Sequence, residues 1–433
     1  MVVRRLIGRL GGMDLAKESG WGLGFELVSM LGTILSFTFL GRSLGPEGYG
    51  GYASLYAIVG PLVTLAASGV TLALLQHVIR DREPLSDVAR SCLSLSLLLG
   101  ALLTVVGIIV ALVIVESMTA TAIVTILVTE FVSVPLIQVG ATAVQASSGF
   151  IGAAKIRLLL VLSRTVLLCA LFAVGALSLT SLGIGSLVVT TLFALILLRQ
   201  IGKARGFPMT PGRVHLSHLK SNGVYSVGIS AGALNNDGDK LVMAANRLVV
   251  DTGLYAAAYR IVGLGMIPVG SALAVSHQRF LQHEEGNAGQ HLRRSIRFAG
   301  ITGFYGLIFA IVIVLFAPLL PLVIGDDFEG SVVMVRWLAP LVMLKALAMF
   351  ALNGLMGLGR TMLRSGLIVV NAAVAMAMYI VLIPIHGWQG AAAATLITEA
   401  ILVIASWTML IVCQRKADRI IDAPAPVEAT AVL

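Results

Sequence analysis

The sequence has little charge for its length. Charged residues make up only 12% of its 433 residues, against about a quarter in an ordinary soluble domain. Hydrophobic residues make up 58%, and between Trp21 and Cys413 almost no stretch is polar enough to form a long water-exposed loop. A soluble globular protein is therefore excluded. Repeated apolar runs of about 20 residues predict membrane-spanning helices, and the alternating pattern of barrel strands is absent from the sequence.

Cysteine is also scarce. Cys92, Cys169 and Cys413 lie far apart in or beside apolar runs, with neither metal-ligand spacing nor a disulfide framework. Seven histidines are scattered without the spacing of a zinc protease, and the sequence has no phosphate-binding loop, which excludes an ATPase acting alone. We therefore expect a protein that is not an enzyme, with no catalytic residue, no metal site and no cofactor.

The first apolar run follows four basic residues, Arg4, Arg5, Arg9 and Lys17, as a signal peptide would. The run from Trp21 to Leu40 is too long for a signal core and lacks a convincing small-residue cleavage site. We interpret it as an uncleaved first span.

The apolar runs predict twelve membrane spans. They are residues 21–41, 51–75, 91–115, 119–144, 157–177, 181–198, 221–246, 253–277, 298–324, 332–355, 362–384 and 388–413. Breaks or bends in the helices are predicted at Pro135, Pro268 and Pro340, which lie in or near these spans. Such bends occur where a cavity forms or a helix moves, and the alternative is a fixed kink without motion.

Basic residues predict the orientation of the chain. With the N-terminus in the cytoplasm, 23 of the 30 Lys and Arg residues fall in cytoplasmic segments, five of them in the loop at 199–220. The opposite loops hold only Arg42 and Arg247, together with the acidic residues Asp326, Asp327 and Glu329. Both termini are therefore predicted to be cytoplasmic. The net charge of +9 is explained as an orientation signal, so we expect no nucleic-acid partner.

The two halves of the chain contain an internal repeat. Residues 50–60 (GGYASLYAIVG) match residues 253–263 (GLYAAAYRIVG) at seven of eleven positions, at an offset of 203 residues. Because six helices per half is an even number, the halves are predicted to be parallel repeats about a pseudo-twofold axis along the membrane normal. The predicted domains are an N-terminal lobe (1–198), a basic cytoplasmic linker (199–220), a C-terminal lobe (221–414) and a cytoplasmic tail (415–433).

Polar residues concentrate in the seventh and eighth spans, where each is a candidate for function. The seventh span carries Asn236, Asp237, Asp239 and Lys240, and the eighth carries Tyr259 and Arg260. Lys240 and Arg260 are predicted to lie about 9 and 7 Å beyond the midplane, so that together they can bind one anionic group. The alternative is structural pairing, of Asp237 with Lys240 and of Asp239 with Arg260.

Other charged residues are predicted within the spans: Glu26, Glu130, Arg164, Lys345 and Glu399. Lys345 can pair with Glu130 or Glu399, whereas an unpaired glutamate can carry a coupling proton. The candidates for coupling to a proton or sodium gradient are Glu26, Asp237, Asp239 and Glu130.

Three motifs resemble those of the polysaccharide flippases (Wzx-type) of the MOP exporter superfamily. Residues 44–50 (LGPEGYG) resemble the family's Leu-Gly-Pro-x-x-Tyr-Gly signature, Asp239-Lys240 with residues 253–260 resembles its Asp-Lys … Gly-x-Tyr-x-x-Ala-x-Arg stretch, and residues 383–392 (IPIHGWQGAA) resemble its late Ile-Pro-x-x-Gly-x-x-Gly-Ala turn. The resemblance implies an all-α, MATE-like transporter with two lobes, a central cavity and alternating access.

The resemblance also implies a substrate, a lipid-linked oligosaccharide on polyprenyl pyrophosphate. The protein would move it from the inner to the outer leaflet of the cytoplasmic (inner) membrane for cell-surface polysaccharide synthesis. The anionic headgroup would then be bound by Arg260, Lys240, Asn236 and Tyr259. The implied partners are a polysaccharide polymerase and glycosyltransferases, together with membrane lipids. The alternatives are a MATE-type cation-coupled antiporter of drugs or metabolites and a membrane scaffold for glycan-assembly enzymes.

Overall fold

The computed structural model describes residues 2–115, 117–281 and 289–421. Side chains are described from 28 to 416, apart from those at 116, 216, 221, 222, 224, 225, 228 and 274–291. All regular secondary structure in these ranges is helical. This confirms the predicted all-α fold, which follows because apolar segments in lipid must satisfy their backbone hydrogen bonds internally.

The described ranges contain fifteen α-helices. They are α1 Val2–Ala66, α2 Ser68–Leu75, α3 Leu85–Ile114, α4 Ala120–Val128, α5 Val134–Ser148, α6 Phe150–Ala173, α7 Leu179–Arg205, α8 Leu216–Ala245, α9 Val249–Leu264, α10 Met266–Leu281, α11 Gly289–Phe316, α12 Leu320–Ile324, α13 Ser331–Leu338, α14 Leu341–Gly357 and α15 Thr361–Ile421. Short π-helical turns lie at Gln76–Arg80 and Thr129–Ser133, and 3-10 turns at Ala317–Leu319 and Asp326–Phe328.

Two apolar helical stretches are too long for one span. Val28–Arg80 has 53 residues and Thr361–Lys416 has 56, which correspond to about 80 Å of helix against a hydrocarbon core of about 30 Å. Each is broken by a glycine with positive φ, Gly45 at 64° and Gly387 at 58°, a conformation that glycine adopts without strain. Each stretch therefore makes two spans, and both glycines lie in the family-like motifs.

The predicted number of spans agrees with these helices. Eight helices are long and apolar enough to cross a membrane, and the bent pair formed by Val249–Leu264 and Met266–Leu273 makes nine. The two glycine breaks raise this number by two. Helix α8, with thirty residues, is long enough to be the twelfth, and its polar and charged residues lower its hydropathy. These counts refer to the described ranges.

The helices extend beyond the predicted spans at several ends. Helix α3 begins at Leu85 rather than at residue 91, and α7 continues to Arg205, beyond the predicted end at 198. The predicted linker at 199–220 therefore begins within a helix. Hydropathy detects only the part of a helix that lies in hydrocarbon, whereas backbone hydrogen bonding continues through polar residues at its ends.

The predicted proline breaks are present. Helices α9 and α10 meet at a 45° bend shortly before Pro268. Pro340 directly precedes α14, and Pro135 is the second residue of α5, immediately after the π-helical turn. At the start of a helix or beside a bend, proline disrupts fewer backbone hydrogen bonds than it would inside an unbroken helix.

Helix α3 shows the inside-out pattern expected in lipid. Its exposed side chains recur every three or four residues and are apolar: Leu98, Leu102, Val105, Ile109 and Leu112. Its other face buries small residues, including Gly100 and Gly107, against Phe131. In water the exposed stripe would be a large apolar patch, whereas in a bilayer it faces acyl chains.

The chain divides into two compact units. Unit 1 comprises Met1–Ala257, Pro318–Val332 and Tyr379–Ala391, and unit 2 comprises Ala258–Ala317, Val333–Met378 and Ala392–Leu433. Two apolar clusters form the core of unit 1, one around Leu74, Cys92 and Ile137 and one around Leu55 and Phe131. In unit 2, helices α14 and α15 pack through an apolar cluster that includes Leu355 and Leu410. The predicted boundaries of the lobes and of the tail stay predictions, and most of the tail lies outside the described residues.

Within unit 1, the two copies of the repeat contact each other reciprocally. A Cβ atom on Gly50 would collide with the carbonyl oxygen of Val249, and one on Gly253 would collide with that of Pro46. Both pairs of equivalent positions, 46 with 249 and 50 with 253, are separated by the repeat offset of 203 residues. A reciprocal contact of this kind is what a local pseudo-twofold axis produces.

Candidate functional site

The first charged cluster lies on α8 in unit 1. The Lys240 ammonium lies 3.2 Å from Asp237 Oδ1 and 3.1 Å from Asp239 Oδ1, and it donates to the Asn236 carbonyl oxygen at 2.8 Å. An ammonium has three N–H donors, and these three acceptors match them. The Asp237–Lys240 pair that the sequence offered as an alternative is therefore present. The use of Lys240 as an anion ligand stays a prediction, and it would require this network to open.

The members of this cluster differ in exposure. The side chains of Lys240 and Asp239 are 7% and 1% exposed, whereas that of Asp237 is 37% exposed. The cluster holds two carboxylates and one ammonium, so it carries a formal excess of one negative charge. Oδ2 of Asp237 faces Gly60, where a Cβ atom would lie 3.3 Å away. The small residue at position 60 keeps this carboxylate accessible.

The second cluster joins three helical segments of unit 1. Glu130, in the π-helical turn Thr129–Ser133, forms an ion pair with Arg164 of α6 and accepts a hydrogen bond from the Tyr56 hydroxyl at 2.8 Å. Glu130 is buried, so an unpaired carboxylate there would be costly. π-Helical turns occur frequently at functional sites. The sequence identified Glu130 and Arg164 as charged residues in the spans, but it gave no sign that Tyr56 joins them.

The third cluster lies in unit 2. Lys345 of α14 donates to the Tyr259 hydroxyl at 2.9 Å, lies 5.4 Å from the centre of that ring and lies 3.8 Å from Glu399. Of the two glutamates that the sequence offered to Lys345, the structure pairs it with Glu399. Tyr259 is half-buried, and its hydroxyl accepts a hydrogen bond from the Lys345 ammonium. The role of Tyr259 in headgroup binding stays a prediction.

The second and third clusters use equivalent tyrosines. Tyr56 and Tyr259 occupy the same position of the repeat, 203 residues apart. Tyr56 donates to a carboxylate, whereas Tyr259 accepts from an ammonium. Tyr56 also accepts a hydrogen bond from Arg164 at 3.4 Å. The repeat thus keeps a tyrosine beside a charged pair in both copies. The sequence signal for this arrangement was the repeat itself.

The remaining predicted residues have different surroundings. Arg260 and Asn236 are exposed, Arg260 on α9 and Asn236 on α8. Glu26 falls within α1, but its side chain lies outside the described residues. Arg260 belongs to unit 2 and Lys240 to unit 1, so the joint binding of one anion by these two cations stays a prediction.

One sequence pattern typical of hydrolases occurs in α8. Residues 228–232 (GISAG) have the Gly-x-Ser-x-Gly spacing of a nucleophile elbow. That motif requires a sharp strand-to-helix turn that exposes the serine, whereas these residues lie inside a continuous helix. The Ser230 hydroxyl hydrogen-bonds to the Pro61 carbonyl oxygen at 3.0 Å and to the Thr64 hydroxyl. The serine therefore joins two helices and is not presented as a nucleophile.

A family model described as polysaccharide biosynthesis protein matches residues 39–333, about two thirds of the chain. The chain belongs to the polysaccharide biosynthesis protein family. The match includes Gly45, the repeat and the clusters around Lys240 and Glu130, and it agrees with the resemblance drawn from the sequence motifs. No curated protein sequence matches the chain.

Solved structures of transporters share the fold. A multidrug resistance MATE family transporter of the MOP superfamily in an inward-facing conformation is similar with a TM-score of 0.73 and 17% identity, over 93% of this chain and 99% of that one. An outward-facing structure of a multidrug resistance MATE family transporter of the MOP superfamily has a TM-score of 0.62 at 16% identity, over 93% of this chain and 96% of that one. A MOP superfamily transporter from Pyrococcus furiosus, described by the reverse polarity of its binding pocket, has a TM-score of 0.63 at 15% identity, over 94% and 96%.

These comparisons establish a multi-pass membrane protein of the polysaccharide biosynthesis family with the fold of MOP superfamily transporters. They confirm the family and the MATE-like fold that the motifs predicted. Identities of 15–17% indicate a shared fold but not a shared substrate. The nature of the substrate therefore depends on the residues of this chain.

Proposed function

We propose that the protein is a flippase that moves a lipid-linked oligosaccharide, carried on polyprenyl pyrophosphate, from the inner to the outer leaflet of the cytoplasmic membrane. The family match and the transporter fold support this proposal. A charged, sugar-bearing headgroup cannot cross hydrocarbon unaided, whereas a prenyl tail can stay in lipid throughout. Both termini are proposed to be cytoplasmic, and the polymerase and glycosyltransferases of the same glycan are the proposed partners.

The observation that carries the proposal is the exposure of Arg260. Arg260 is an exposed residue of the repeat, at the position that Ala57 occupies in the first copy. A guanidinium binds phosphate oxygens in a bidentate manner and keeps its charge. Arg260 is the proposed ligand of the pyrophosphate.

We place energy coupling at the cluster of Asp237, Asp239 and Lys240. Its excess negative charge and the partly exposed Asp237 carboxylate suit a proton or a sodium ion. In this proposal, cation binding at Asp237 weakens its attraction for Lys240 and so changes the charge balance on α8.

The second candidate function is a MATE-type antiporter that exchanges a cationic drug or metabolite. The same acidic cluster and the likeness to MATE structures favour it. The two candidates differ in the sign of the substrate charge. Replacement of Arg260 by Ala should abolish binding of an anionic headgroup, whereas it should leave unchanged or strengthen the binding of an organic cation.

The test is surface polysaccharide in cells that carry only the altered gene. We expect Arg260→Ala to abolish the polymer while the protein accumulates in the membrane at the normal level. Arg297→Ala, at an exposed position of α11, is the matched control and should preserve the polymer. Normal polymer in Arg260→Ala cells would contradict the role of Arg260, and normal polymer in an Arg260→Ala, Lys240→Ala double variant would favour a scaffold.

A further inference from the structure

Two histidines and a glutamate converge in unit 1, outside the predicted spans or at their edge. Nδ1 of His77 lies 2.9 Å from Glu83 Oε1, and Nε2 of His218 lies 3.1 Å from Glu83 Oε2. The ligand atoms of the three residues all lie within 4.8 Å of one another. His77 and His218 are 141 residues apart in the chain, but their ring centres are 4.4 Å apart.

The backbone around His77 is unusual in two respects. His77 lies in the π-helical turn Gln76–Arg80. Arg82, just beyond that turn, has φ of 57°, which is uncommon for a residue other than glycine. The chain then returns so that the Glu83 amide donates to the His77 carbonyl oxygen at 2.9 Å. π-Helical turns and strained residues both cluster at functional sites.

The turn presents two carboxylates to one histidine. Asp81 Oδ2 lies 3.1 Å from the same Nδ1 of His77 that contacts Glu83. The two acidic residues flank the strained Arg82, and their charges sum to that needed to balance a divalent cation. The nearby basic residues Arg80 and Arg82 are exposed, so solvent screens them.

The histidines are buried, and one of them is held in an orientation that suits metal binding. His77 and His218 are 5% and 1% exposed. Ser91 Oγ lies 2.9 Å from His218 Nδ1, which orients the ring so that Nε2 faces Glu83.

From this geometry we propose that His77, His218 and Glu83 form a binding site for a divalent transition-metal ion, with Zn²⁺ as the preferred ion and Asp81 or water as the fourth ligand. Zn²⁺ takes imidazole nitrogen and carboxylate oxygen at about 2.0–2.2 Å in tetrahedral geometry. Tetrahedral ligand atoms at that distance are separated by about 3.4 Å, within the range of the separations in this cluster.

The bound metal would link two segments of unit 1. It joins the end of the helical stretch Val28–Arg80 to the first turn of α8, the helix that carries Asp237, Asp239 and Lys240. A metal that binds both segments would hold these two parts of unit 1 together, because its binding free energy adds to the stability of the bound conformation. Residue spacing did not predict the site, because its ligands come from separate segments of the chain.

The experiment measures metal binding to the full chain in detergent, purified without a polyhistidine tag and stripped with a chelator. Titration with Zn²⁺ followed by calorimetry should give one ion per chain, and Co²⁺ should give the absorption bands of a tetrahedral site. His218→Gln and Glu83→Gln should each lose saturable binding. His215→Gln is the matched control, since His215 is exposed and its ring lies 5.2 Å from that of His218 without belonging to the ligand set.

Ser91→Ala provides a graded test, since the serine orients a ligand without touching the metal. Loss of such a partner weakens metal affinity by about 10- to 100-fold, and the Co²⁺ spectrum should keep its tetrahedral form. Unchanged elution and helical circular dichroism verify that each variant folds. If His218→Gln does not fold, Glu83→Gln, at a partly exposed loop position, tests the loss of metal binding instead. Absence of saturable binding to the unaltered chain, or equal binding by His218→Gln and His215→Gln, would overturn the proposal.

Discussion

Gly50 and Gly253 occupy equivalent positions of the internal repeat and pack against each other. A Cβ atom on Gly50 would lie 3.1 Å from the amide nitrogen of Gly253, and one on Gly253 would lie 2.9 Å from that of Gly50. Glycine at both positions lets the backbones approach closely, as small residues do at helix contacts within membranes. The repeat therefore has a structural reason for keeping this residue twice.

Replacement of either glycine by alanine should destabilise the protein. The added methyl group meets backbone atoms, which cannot move aside as a flexible side chain can, so we expect a loss of about 1–3 kcal/mol. Gly300→Ala is the matched control in a helix, because a Cβ atom there meets nothing within 4 Å. Denaturation in detergent measures the three variants. Equal stability of Gly253→Ala and Gly300→Ala would contradict the close contact.

The ion pair between Glu130 and Arg164 should behave as a unit. Glu130→Gln leaves the arginine facing a neutral amide and should lower stability by up to about 3 kcal/mol, whereas the Glu130→Gln, Arg164→Gln double variant should recover part of that loss. Tyr56→Phe removes the hydrogen bonds of the hydroxyl with Glu130 and Arg164 and should cost about 1.5–3 kcal/mol, as expected for hydrogen bonds to charged groups.

Transport by the same variants distinguishes a structural role of Glu130 from a role in ion coupling. If Glu130 serves only the ion pair, transport should return in the double variant together with stability. A double variant that is stable but inactive would instead support the prediction that Glu130 carries the coupling ion.

The pair in unit 2 allows a parallel test. Lys345→Met leaves Glu399 in a site where it is only 4% exposed, so this variant should be less stable than the Lys345→Met, Glu399→Gln double variant. Thermal unfolding of the purified proteins measures the difference. Additive effects of the two substitutions would show that the 3.8 Å separation does not represent an energetic pair.

The orientation can be tested by labelling. Cys92, Cys169 and Cys413 are free cysteines, so a variant in which they are replaced provides a background without reactive thiols. In that background, a cysteine at Thr210 should be protected from an impermeant maleimide in intact cells, and one at Asp327 should react. The reverse pattern would invert the proposed topology.

The fold was largely predictable because its signals are local. Apolar runs predict spans wherever they occur, and the gap predicted between the first two spans contains Gly45, where the structure breaks α1. Helix ends were predicted less well, since a helix such as α7 continues to Arg205 beyond the hydrocarbon. Hydropathy carries no information about such extensions.

The candidate site was predictable only in part because its contacts are distant in sequence. The Asp237–Lys240 pair follows from spacing on one helix. The hydrogen bond from Tyr56 to Glu130 spans 74 residues, and that from Lys345 to Tyr259 spans 86. Such partners depend on which faces of the helices contact each other, and a single sequence does not specify these faces. The cluster of His77, Glu83 and His218 is not predictable from residue spacing for the same reason.

Reconstituted flipping tests the central claim most directly. The purified protein is placed in vesicles with a fluorescent oligosaccharide on polyprenyl pyrophosphate, and a membrane-impermeant quencher reports the fraction in the outer leaflet over time. The flippase proposal predicts movement that requires the protein, disappears with Arg260→Ala and persists with Arg297→Ala. Transport of an organic cation by the same vesicles, with no movement of the lipid-linked sugar, would contradict it.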